Sequence, residues 1–210
     1  MLENTDSIIF DLDGTLWDST AMVAKAWQAG IDQVDYVTDK LTQADIRATA
    51  GMPYSAIYDK LFPSLPKEKS EEFRKLCGKI ELEYMNRYGG ELYPGLEETL
   101  EYLQGKYRLF IVSNCQTGYI EAFLAYHNMQ RFFTGHQCYG TKDQPKAENI
   151  KDIIADYELK QPVYIGDTMG DYEAARKAGV PFILADYGFG TVENGWEARL
   201  QSLADLKTIF

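Results

Sequence analysis

IIFDLDGT, residues 8–15, is a short apolar run that ends in two carboxylates, a glycine and a threonine. Consecutive apolar residues of this length are typical of a strand buried on both faces of a sheet. In open α/β sheets, ligands bind at the carboxyl ends of the strands. Two ionised carboxylates this close repel one another unless a cation bridges them or one holds a proton. The stretch therefore predicts a functional site at the end of a first, buried strand.

Similar apolar runs recur later in the chain, at residues 109–112, 163–165 and 182–184. Between them lie helical patterns, clearest at Ile150, Ile153, Ile154 and Tyr157, whose spacing places them on one helix face. Further helices are predicted from Leu96 to Leu103 and from Ile120 to Leu124. Alternating strands and helices imply right-handed crossovers. The predicted fold class is α/β, with a doubly wound, mostly parallel sheet.

Residues 17–88 differ from the rest because they show helical periodicity without convincing strands. They are interpreted as a helical cap inserted into an α/β core formed by residues 1–16 and 89–210. Within the cap, Thr42 is expected to begin a helix and Gly51 to end it. Trp17 and Trp27 are expected to pack within the cap.

A second acidic pair follows the run at 163–165, in Gly166-Asp167-Thr168-Met169-Gly170-Asp171. A helix is expected to begin near Tyr172. If this strand neighbours the first, Asp167 and Asp171 converge with Asp11 and Asp13 on one oxygen-rich site of the kind that Mg²⁺ prefers. The alternative is that all four aspartates are ordinary turn or cap residues.

Two further positions complete the pattern. Ser113 and Asn114 follow the run at 109–112, where they could hold a phosphoryl oxygen at a helix start, or could be ordinary capping residues. Lys146 opens the helix that contains Ile150, so its ammonium group could reach the carboxyl edge of the sheet. The alternatives are that Lys146 is a solvated surface residue and that nearby Lys142 takes this place.

The order of these motifs, D-x-D-G-T, then serine, then lysine, then G-D-x-x-x-D, resembles the haloacid dehalogenase superfamily over nearly the whole chain. The cap after the first motif, and the continuation Leu16-Trp17-Asp18-Ser19, look like the subgroup of phosphoglycolate phosphatases and β-phosphoglucomutase. The resemblance implies a Mg²⁺-dependent phosphatase that forms an aspartyl-phosphate. Lys146 follows a proline, whereas the family more often has the order Lys-Pro.

The resemblance also implies a role for each residue that matches a motif. Asp11 would be the nucleophile and Asp13 the general acid and base. Phosphate would be held by the hydroxyls of Thr15 and Ser113, with Lys146 stabilising its charge. Mg²⁺ would be held by Asp11, the backbone carbonyl of Asp13, Asp167 and, in a supporting position, Asp171. Substrate contacts are expected from Gly14, Asn114, Arg47 and Tyr54, the last two on either side of the Gly51-Met52-Pro53 bend of the cap.

The charge balance limits the partners. The 210 residues contain 21 basic and 32 acidic side chains, a net charge of -11. Nucleic acids and anionic membranes attract dense positive charge, so neither is an expected partner. Three cysteines without a C-x-x-C pair fit a reducing cytoplasm. We therefore expect a cytoplasmic protein, a monomer or a homodimer, that acts on a small phosphorylated metabolite.

Two other functions stay open from the sequence. In a phosphomutase of the β-phosphoglucomutase type, the phosphoryl group on Asp11 would pass to a sugar hydroxyl instead of water. A non-catalytic protein that binds a phosphorylated ligand could also retain the fold, because fold alone does not prove activity. Dehalogenation is disfavoured because that chemistry requires neither a proton donor at position 13 nor magnesium.

Overall fold

The computed structural model describes residues 2–210 and contains a six-stranded sheet of order β5-β4-β1-β6-β7-β8. Every neighbouring pair in this sheet is parallel. The predicted parallel α/β fold is therefore confirmed. The strands of this sheet are β1 (Ser7–Phe10), β4 (Arg108–Ser113), β5 (Gly135–Cys138), β6 (Pro162–Gly166), β7 (Phe182–Ala185) and β8 (Ala198–Leu200).

The side chains of the central strands alternate between two apolar layers. In β1, Ile8 and Phe10 pack in one layer, and Ile9 packs in the other. All three are fully buried. Because successive side chains of a strand point to opposite faces, a strand that is apolar at every position requires cover on both sides. This is the physical reason that the IIF run predicts a central strand.

Six α-helices accompany the sheet. Leu96, Leu100 and Leu103 of α5 contribute to one apolar layer, whereas Ile150 and Ile153 of α8 contribute to the other. These helices are α5 (Leu96–Gln104), α6 (Tyr119–His127), α7 (Tyr139–Lys142), α8 (Lys146–Asp156), α9 (Met169–Ala178) and α10 (Leu206–Ile209).

Four helices lie between β1 and β4 in the chain and are called the cap helices here. They are α1 (Thr20–Ile31), α2 (Gln43–Arg47), α3 (Tyr54–Leu61) and α4 (Lys67–Tyr88). The chain enters this segment through β2 (Trp17–Asp18) and leaves it through β3 (Glu91–Leu92), and these two strands pair antiparallel. The domain boundaries at 17 and 88 stay a prediction.

Several local expectations were wrong. Helix α6 begins at Tyr119, six residues after Ser113, so no helix starts at the serine. Helix α9 begins at Met169 instead of near Tyr172, because Thr168 and Asp171 form a capping box that starts the helix earlier. Thr42 does cap α2, but that helix ends at Arg47, before Gly51.

Trp17 does not pack within the cap as expected. Its ring lies edge-on against Tyr119, Phe123 and His127 of α6, with ring centroids 5.0–5.7 Å apart. Trp27 does pack in the cap, stacked on Tyr58 at 4.6 Å. The apolar pattern shows that a tryptophan is buried, but not which neighbour buries it.

Strands β5 and β8 were not predicted, and neither contains an apolar run. Strand β5 reads GHQC and lies at one edge of the sheet, while the three-residue β8 lies at the other. Edge strands have fewer neighbours to bury them, so their sequences carry a weaker signal. Among residues 2–210, no helix combines the length and the apolar character needed to cross a bilayer.

Candidate active site

Strand register brings three of the sequence motifs to one edge of the sheet. Phe10 is paired with Ile111 of β4 on one side and with Ile165 of β6 on the other. Asp11, Ser113 and Asp167 therefore leave three adjacent parallel strands at similar heights. The backbone N–H of Asp11 donates to the carbonyl of Ile165 at 2.8 Å, so the first residue of the motif is still held by the sheet.

Lys146 joins the first motif to the last. Its Nζ lies 2.9 Å from Asp11 Oδ1 and 2.5 Å from Asp171 Oδ1, and all three side chains are buried. Burial alone would lower the pKa of Lys146, but the charges of the two aspartates raise this pKa above its ordinary value. Lys146 is therefore a fixed positive charge at the carboxyl edge of the sheet. Lys142, the competing residue, pairs instead with Asp152 near the surface.

Asp171 uses both of its carboxylate oxygens within the protein. Oδ1 accepts hydrogen bonds from Lys146 and from the hydroxyl of Tyr164, at 2.5 and 3.3 Å. Oδ2 accepts from the backbone and hydroxyl of Thr168 in the capping box, at 3.0 and 2.6 Å. Burial opposes its ionisation, but Lys146 and these hydrogen bonds hold the pKa of Asp171 below its ordinary value. Asp171 is thus an ionised carboxylate that fixes the position of Lys146.

Asp167 differs from Asp171 because one of its oxygens has no partner. Oδ2 accepts from the backbone N–H of Phe189 at 2.7 Å, whereas the buried Oδ1 accepts no hydrogen bond from the described residues. Burial, together with the nearby charges of Asp171 and Asp11, raises the pKa of Asp167 well above its ordinary value. A cation at this position would satisfy the oxygen and offset the repulsion.

The three aspartates fit a hard divalent cation. Carboxylate oxygens of Asp11, Asp167 and Asp171 all lie within 4.8 Å of one another. Oxygen donors of this kind suit Mg²⁺, which binds through one or two carboxylates and keeps several waters. Because the oxygens of Asp171 are already hydrogen-bonded, Asp11 and Asp167 are the better candidates for direct ligands.

Gly14 allows the backbone of the first motif to approach the carboxylate of Asp167 closely. Its φ is +83°, a conformation that residues with a Cβ rarely adopt, and an added Cβ would lie 2.2 Å from Asp167 Oδ2. The D-x-D-G-T turn can therefore pass directly against the carboxylate of the fourth motif. This close packing explains the glycine without any contact to a substrate.

Asp13 is held by two hydroxyl groups, those of Ser19, just before α1, and of Tyr119, on α6. Its Oδ1 accepts a hydrogen bond from Ser19 Oγ at 2.6 Å, and the hydroxyl of Tyr119 donates to Ser19 at 2.7 Å. Burial raises the pKa of Asp13 to about 6, although the hydrogen bonds from Ser19 and Tyr119 oppose this shift. Near neutral pH, Asp13 therefore exchanges a proton readily, as a general acid and base must.

A cavity lies between these residues and the cap helices. It is lined on the core side by Asp11, Asp13, Ser113, Asn114 and Lys146. The cap closes over it: Asn114 Nδ2 donates to the carbonyl of Gly51 at 3.0 Å, and Gln116 Nε2 donates to that of Gly78 at 3.1 Å. Gly51 has a φ of +76°, and an added Cβ would lie 2.5 Å from Thr168 Oγ1. The cavity is therefore covered and suited to a small ligand.

The structure brings together most, but not all, of the predicted substrate contacts. Asn114 and Tyr54 line the cavity. Thr15 is fully buried outside its lining, with an unpartnered hydroxyl. Arg47 does not line the cavity either: it pairs with Asp18 at 2.5 Å and lies over the ring of Phe189. Substrate contact by Gly14, Thr15 or Arg47 would need a rearrangement of this closed cap.

Several residues of the site were missed by the sequence analysis. Ser19 and Tyr119 hold Asp13, Phe189 holds Asp167, and Glu81 of α4 lines the cavity from the cap side. Phe189 lies in the Tyr187-Gly188-Phe189-Gly190 loop, which belongs to none of the four motifs. Glu81 carried a usable signal, because it shares a helix face with Cys77 and Tyr84, where an acidic residue is unexpected.

Glu81 is a carboxyl group in an apolar place. It is 4 % exposed and accepts a hydrogen bond from Trp27 Nε1 at 2.8 Å. Burial raises the pKa of Glu81 from an ordinary 4.5 to about 8. The folded protein therefore holds this proton where the unfolded chain has released it.

We expect Glu81→Gln to reduce the loss of stability as the pH rises from about 5 to 8. With a raised pKa in the folded state, the native protein binds more protons, so its free energy of unfolding falls over this range by at most about 1.4 kcal/mol per pH unit. Urea unfolding at pH 5, 6.5 and 8 measures the slope. Glu83→Gln, an exposed position on the same helix, should keep the wild-type slope. Equal slopes for wild type and Glu81→Gln would contradict the prediction.

The fold and site together define a class: an α/β protein with a parallel sheet, whose strand ends carry a carboxylate, lysine and hydroxyl centre suited to Mg²⁺ and a phosphoryl group. The sequence model for the haloacid dehalogenase-like hydrolases matches residues 8–185. This chain belongs to that family.

Two sequence relatives and one solved structure are similar to this chain over most of its length. The chain is 30% identical over 190 residues to a phosphoglycolate phosphatase of Aquifex aeolicus, a match that covers 87% of this chain and 85% of the relative. It is 27% identical over 201 residues to a phosphoglycolate phosphatase of Aliivibrio fischeri, covering 90% and 87%. The fold is similar to that of a haloacid dehalogenase-like hydrolase from Bacteroides fragilis, with a TM-score of 0.84, 24% identity and coverage of 97% and 100%.

Proposed function

We propose that this hydrolase is a Mg²⁺-dependent phosphatase that cleaves a small phosphomonoester through an aspartyl-phosphate on Asp11. The observation that carries the proposal is the arrangement of Asp11, Lys146 and Asp13 at the floor of one covered cavity. The similarity to relatives named phosphoglycolate phosphatase supports the reaction class.

In the first step, a carboxylate oxygen of Asp11 attacks phosphorus, and the bond between phosphorus and the alcohol oxygen breaks. Lys146 offsets the negative charge of the phosphoryl oxygens, which would otherwise repel the nucleophile. Asp13, held by Ser19, gives its proton to the departing alkoxide. The products of this step are the free alcohol and the aspartyl-phosphate.

In the second step, water attacks phosphorus while Asp13 takes up its proton, and inorganic phosphate leaves Asp11 as a free carboxylate. Asp11 and Asp167 would hold Mg²⁺, which supplies further charge neutralisation at the phosphoryl oxygens. Ser113 lines the cavity, and in this mechanism its hydroxyl donates to a phosphoryl oxygen. The cap excludes bulk water and selects the alcohol portion of the substrate.

The proposal is tested by phosphate release from a panel of small metabolite esters with Mg²⁺, with EDTA, and with EDTA followed by excess Mg²⁺. We expect release in the first condition, its loss in the second and its recovery in the third, because two buried carboxylates repel a phosphoryl dianion without the cation. Unchanged release in EDTA would contradict the metal dependence. If no ester in the panel releases phosphate, the proposed hydrolase activity is contradicted.

The same experiment separates hydrolysis from the phosphomutase alternative. Release of inorganic phosphate without a bisphosphate activator supports hydrolysis, whereas isomerisation of a sugar phosphate without net release supports the mutase. The cytoplasmic location, and the monomeric or homodimeric state, stay predictions.

A further inference from the structure

Among the described residues, Glu81 is the one acidic or basic side chain that lines the cavity from the cap side. Among residues 2–210, the acidic and basic side chains that line the cavity are Asp11, Asp13 and Lys146 on the core side and Glu81 on the cap side. The rest of the cap wall is mainly apolar or aromatic and includes Val23, Trp27, Ile46, Met52, Tyr54 and Ile57. Within the part of the chain that the structure describes, the cap wall therefore has no cationic side chain for a second negative group on the substrate.

Lys146 is not free to supply that charge. Its ammonium group lies within 2.9 Å of both Asp11 and Asp171, at the floor of the cavity where the phosphoryl group must bind. A carboxylate buried elsewhere in the cavity would have no positive partner. Burial of an unpaired charge is strongly unfavourable.

The basic residues of the cap lie outside the cavity. Arg47 is 49% exposed at its side chain and is paired with Asp18. Arg74 and Lys75 line a separate groove, which is divided from the cavity where Tyr54 and Gln116 meet α4. At that point the packing is tight: a Cβ added at Gly78 would lie 2.8 Å from both Tyr54 Oη and Gln116 Oε1.

Glu81 offers a polar contact of one kind. Trp27 Nε1 and the hydroxyl of Tyr54 both donate to its Oε2, at 2.8 and 3.4 Å. Glu81 also lines the cavity, so its carboxyl group is within reach of a ligand that enters there. Because burial keeps a proton on Glu81 near neutral pH, this carboxyl group can donate to or accept from a substrate hydroxyl. A substrate carboxylate could accept one hydrogen bond from it but would gain no positive charge there.

We propose that the substrate is a phosphomonoester of a small alcohol without a second negative group, and that Glu81 binds a hydroxyl of that alcohol. The inference rests on the phosphatase function proposed above and narrows its substrate class. It also separates this chain from the relatives named phosphoglycolate phosphatase, because phosphoglycolate carries a carboxylate beside the phosphate. Glu81 is then a specificity-determining residue.

Two esters of nearly equal size test the proposal. In 2-hydroxyethyl phosphate, a hydroxymethyl group replaces the carboxylate of 2-phosphoglycolate. We expect the wild-type kcat/KM to be at least about tenfold higher for 2-hydroxyethyl phosphate, since a polar group left unpaired in a cavity is rejected strongly. Glu81→Leu, which removes the polar contact, should narrow this ratio, and Glu83→Gln, at an exposed position on the same helix, should not. Equal or faster turnover of phosphoglycolate would overturn the proposal.

Binding gives a readout that does not depend on turnover. Titration calorimetry of Asp11→Asn with each ester and Mg²⁺ should give a dissociation constant at least about tenfold lower for 2-hydroxyethyl phosphate. If the wild type hydrolyses neither ester but this order of affinity is found, the proposed phosphatase function is contradicted and the proposed substrate class is supported. If both esters are hydrolysed but phosphoglycolate binds at least as tightly as 2-hydroxyethyl phosphate, the proposed substrate class is contradicted and the proposed phosphatase function is supported. Failure of both esters to bind would overturn the substrate class.

Discussion

Asp11→Asn should remain folded and lose phosphate release by at least about a thousandfold. The amide has nearly the shape of the carboxylate but is not a competent nucleophile at phosphorus. Lys146 keeps its contact with Asp171 at 2.5 Å, so the variant leaves no buried lysine without an acidic partner. Substitution also removes one of three carboxylates within 4.8 Å, which reduces their repulsion. We therefore expect no loss of stability.

The measurement combines steady-state phosphate release with urea unfolding. Asp156→Asn, at an exposed position near the end of α8, is the matched control and should keep both wild-type activity and stability. Residual turnover above a few per cent in Asp11→Asn, with the fold intact, would exclude Asp11 as the nucleophile. Asp167 and Asp171 would then need another explanation, because they would lie beside a carboxylate, that of Asp11, which takes no part in the reaction.

Lys146→Met should cost both stability and activity. The methionine fills a similar volume but leaves Asp11 and Asp171 buried without their shared cation. Removal of one partner from a buried ion pair typically costs about 3–5 kcal/mol of unfolding free energy. Mg²⁺ should restore part of this loss, because a bound cation offsets the same negative charges.

Activity should fall by roughly a hundredfold or more in Lys146→Met, since a fixed charge that stabilises the transition state is worth a few kcal/mol. The assay is run with Mg²⁺ at a temperature where circular dichroism shows the variant to be folded. Lys151→Met, on the exposed face of the same helix, is the control. A stable and active Lys146→Met protein would mean that the ion pairs are dispensable to both fold and reaction.

The position of Asp13 separates its role from that of Asp11. The two residues are two positions apart in the motif, yet Asp11 contacts Lys146 whereas Asp13 accepts hydrogen bonds from the hydroxyls of Ser19 and Tyr119. One carboxylate is therefore held beside a positive charge and the other beside hydroxyl groups. In the proposed mechanism, this difference in surroundings allows two similar acids to take the separate roles of nucleophile and proton carrier.

Much of the fold and of the central site could be predicted from the sequence because the signals are local. Apolar runs that end in small and acidic residues identified β1, β4, β6 and β7, and their register brings Asp11, Ser113 and Asp167 to one edge. The motif order also selected Lys146 over Lys142, and the structure places Lys146 against Asp11. Parallel strands share one carboxyl edge, so residues that follow them converge wherever they lie in the chain.

The contacts of the cap were decided by the tertiary structure. Arg47 and Tyr54 flank one bend, yet only Tyr54 lines the cavity, because Arg47 turns outward to Asp18. Glu81 is conspicuous as an acid on an apolar helix face, but it lies 32 residues before Ser113, the nearest motif residue, and nothing local shows that it faces the site. Contacts between the cap helices and the α/β core depend on how each helix is rotated about its axis and how the two parts pack together. The spacing of residues along one helix determines neither. The sequence alone thus determined the reaction centre, whereas the fold of the whole chain decided what can reach it.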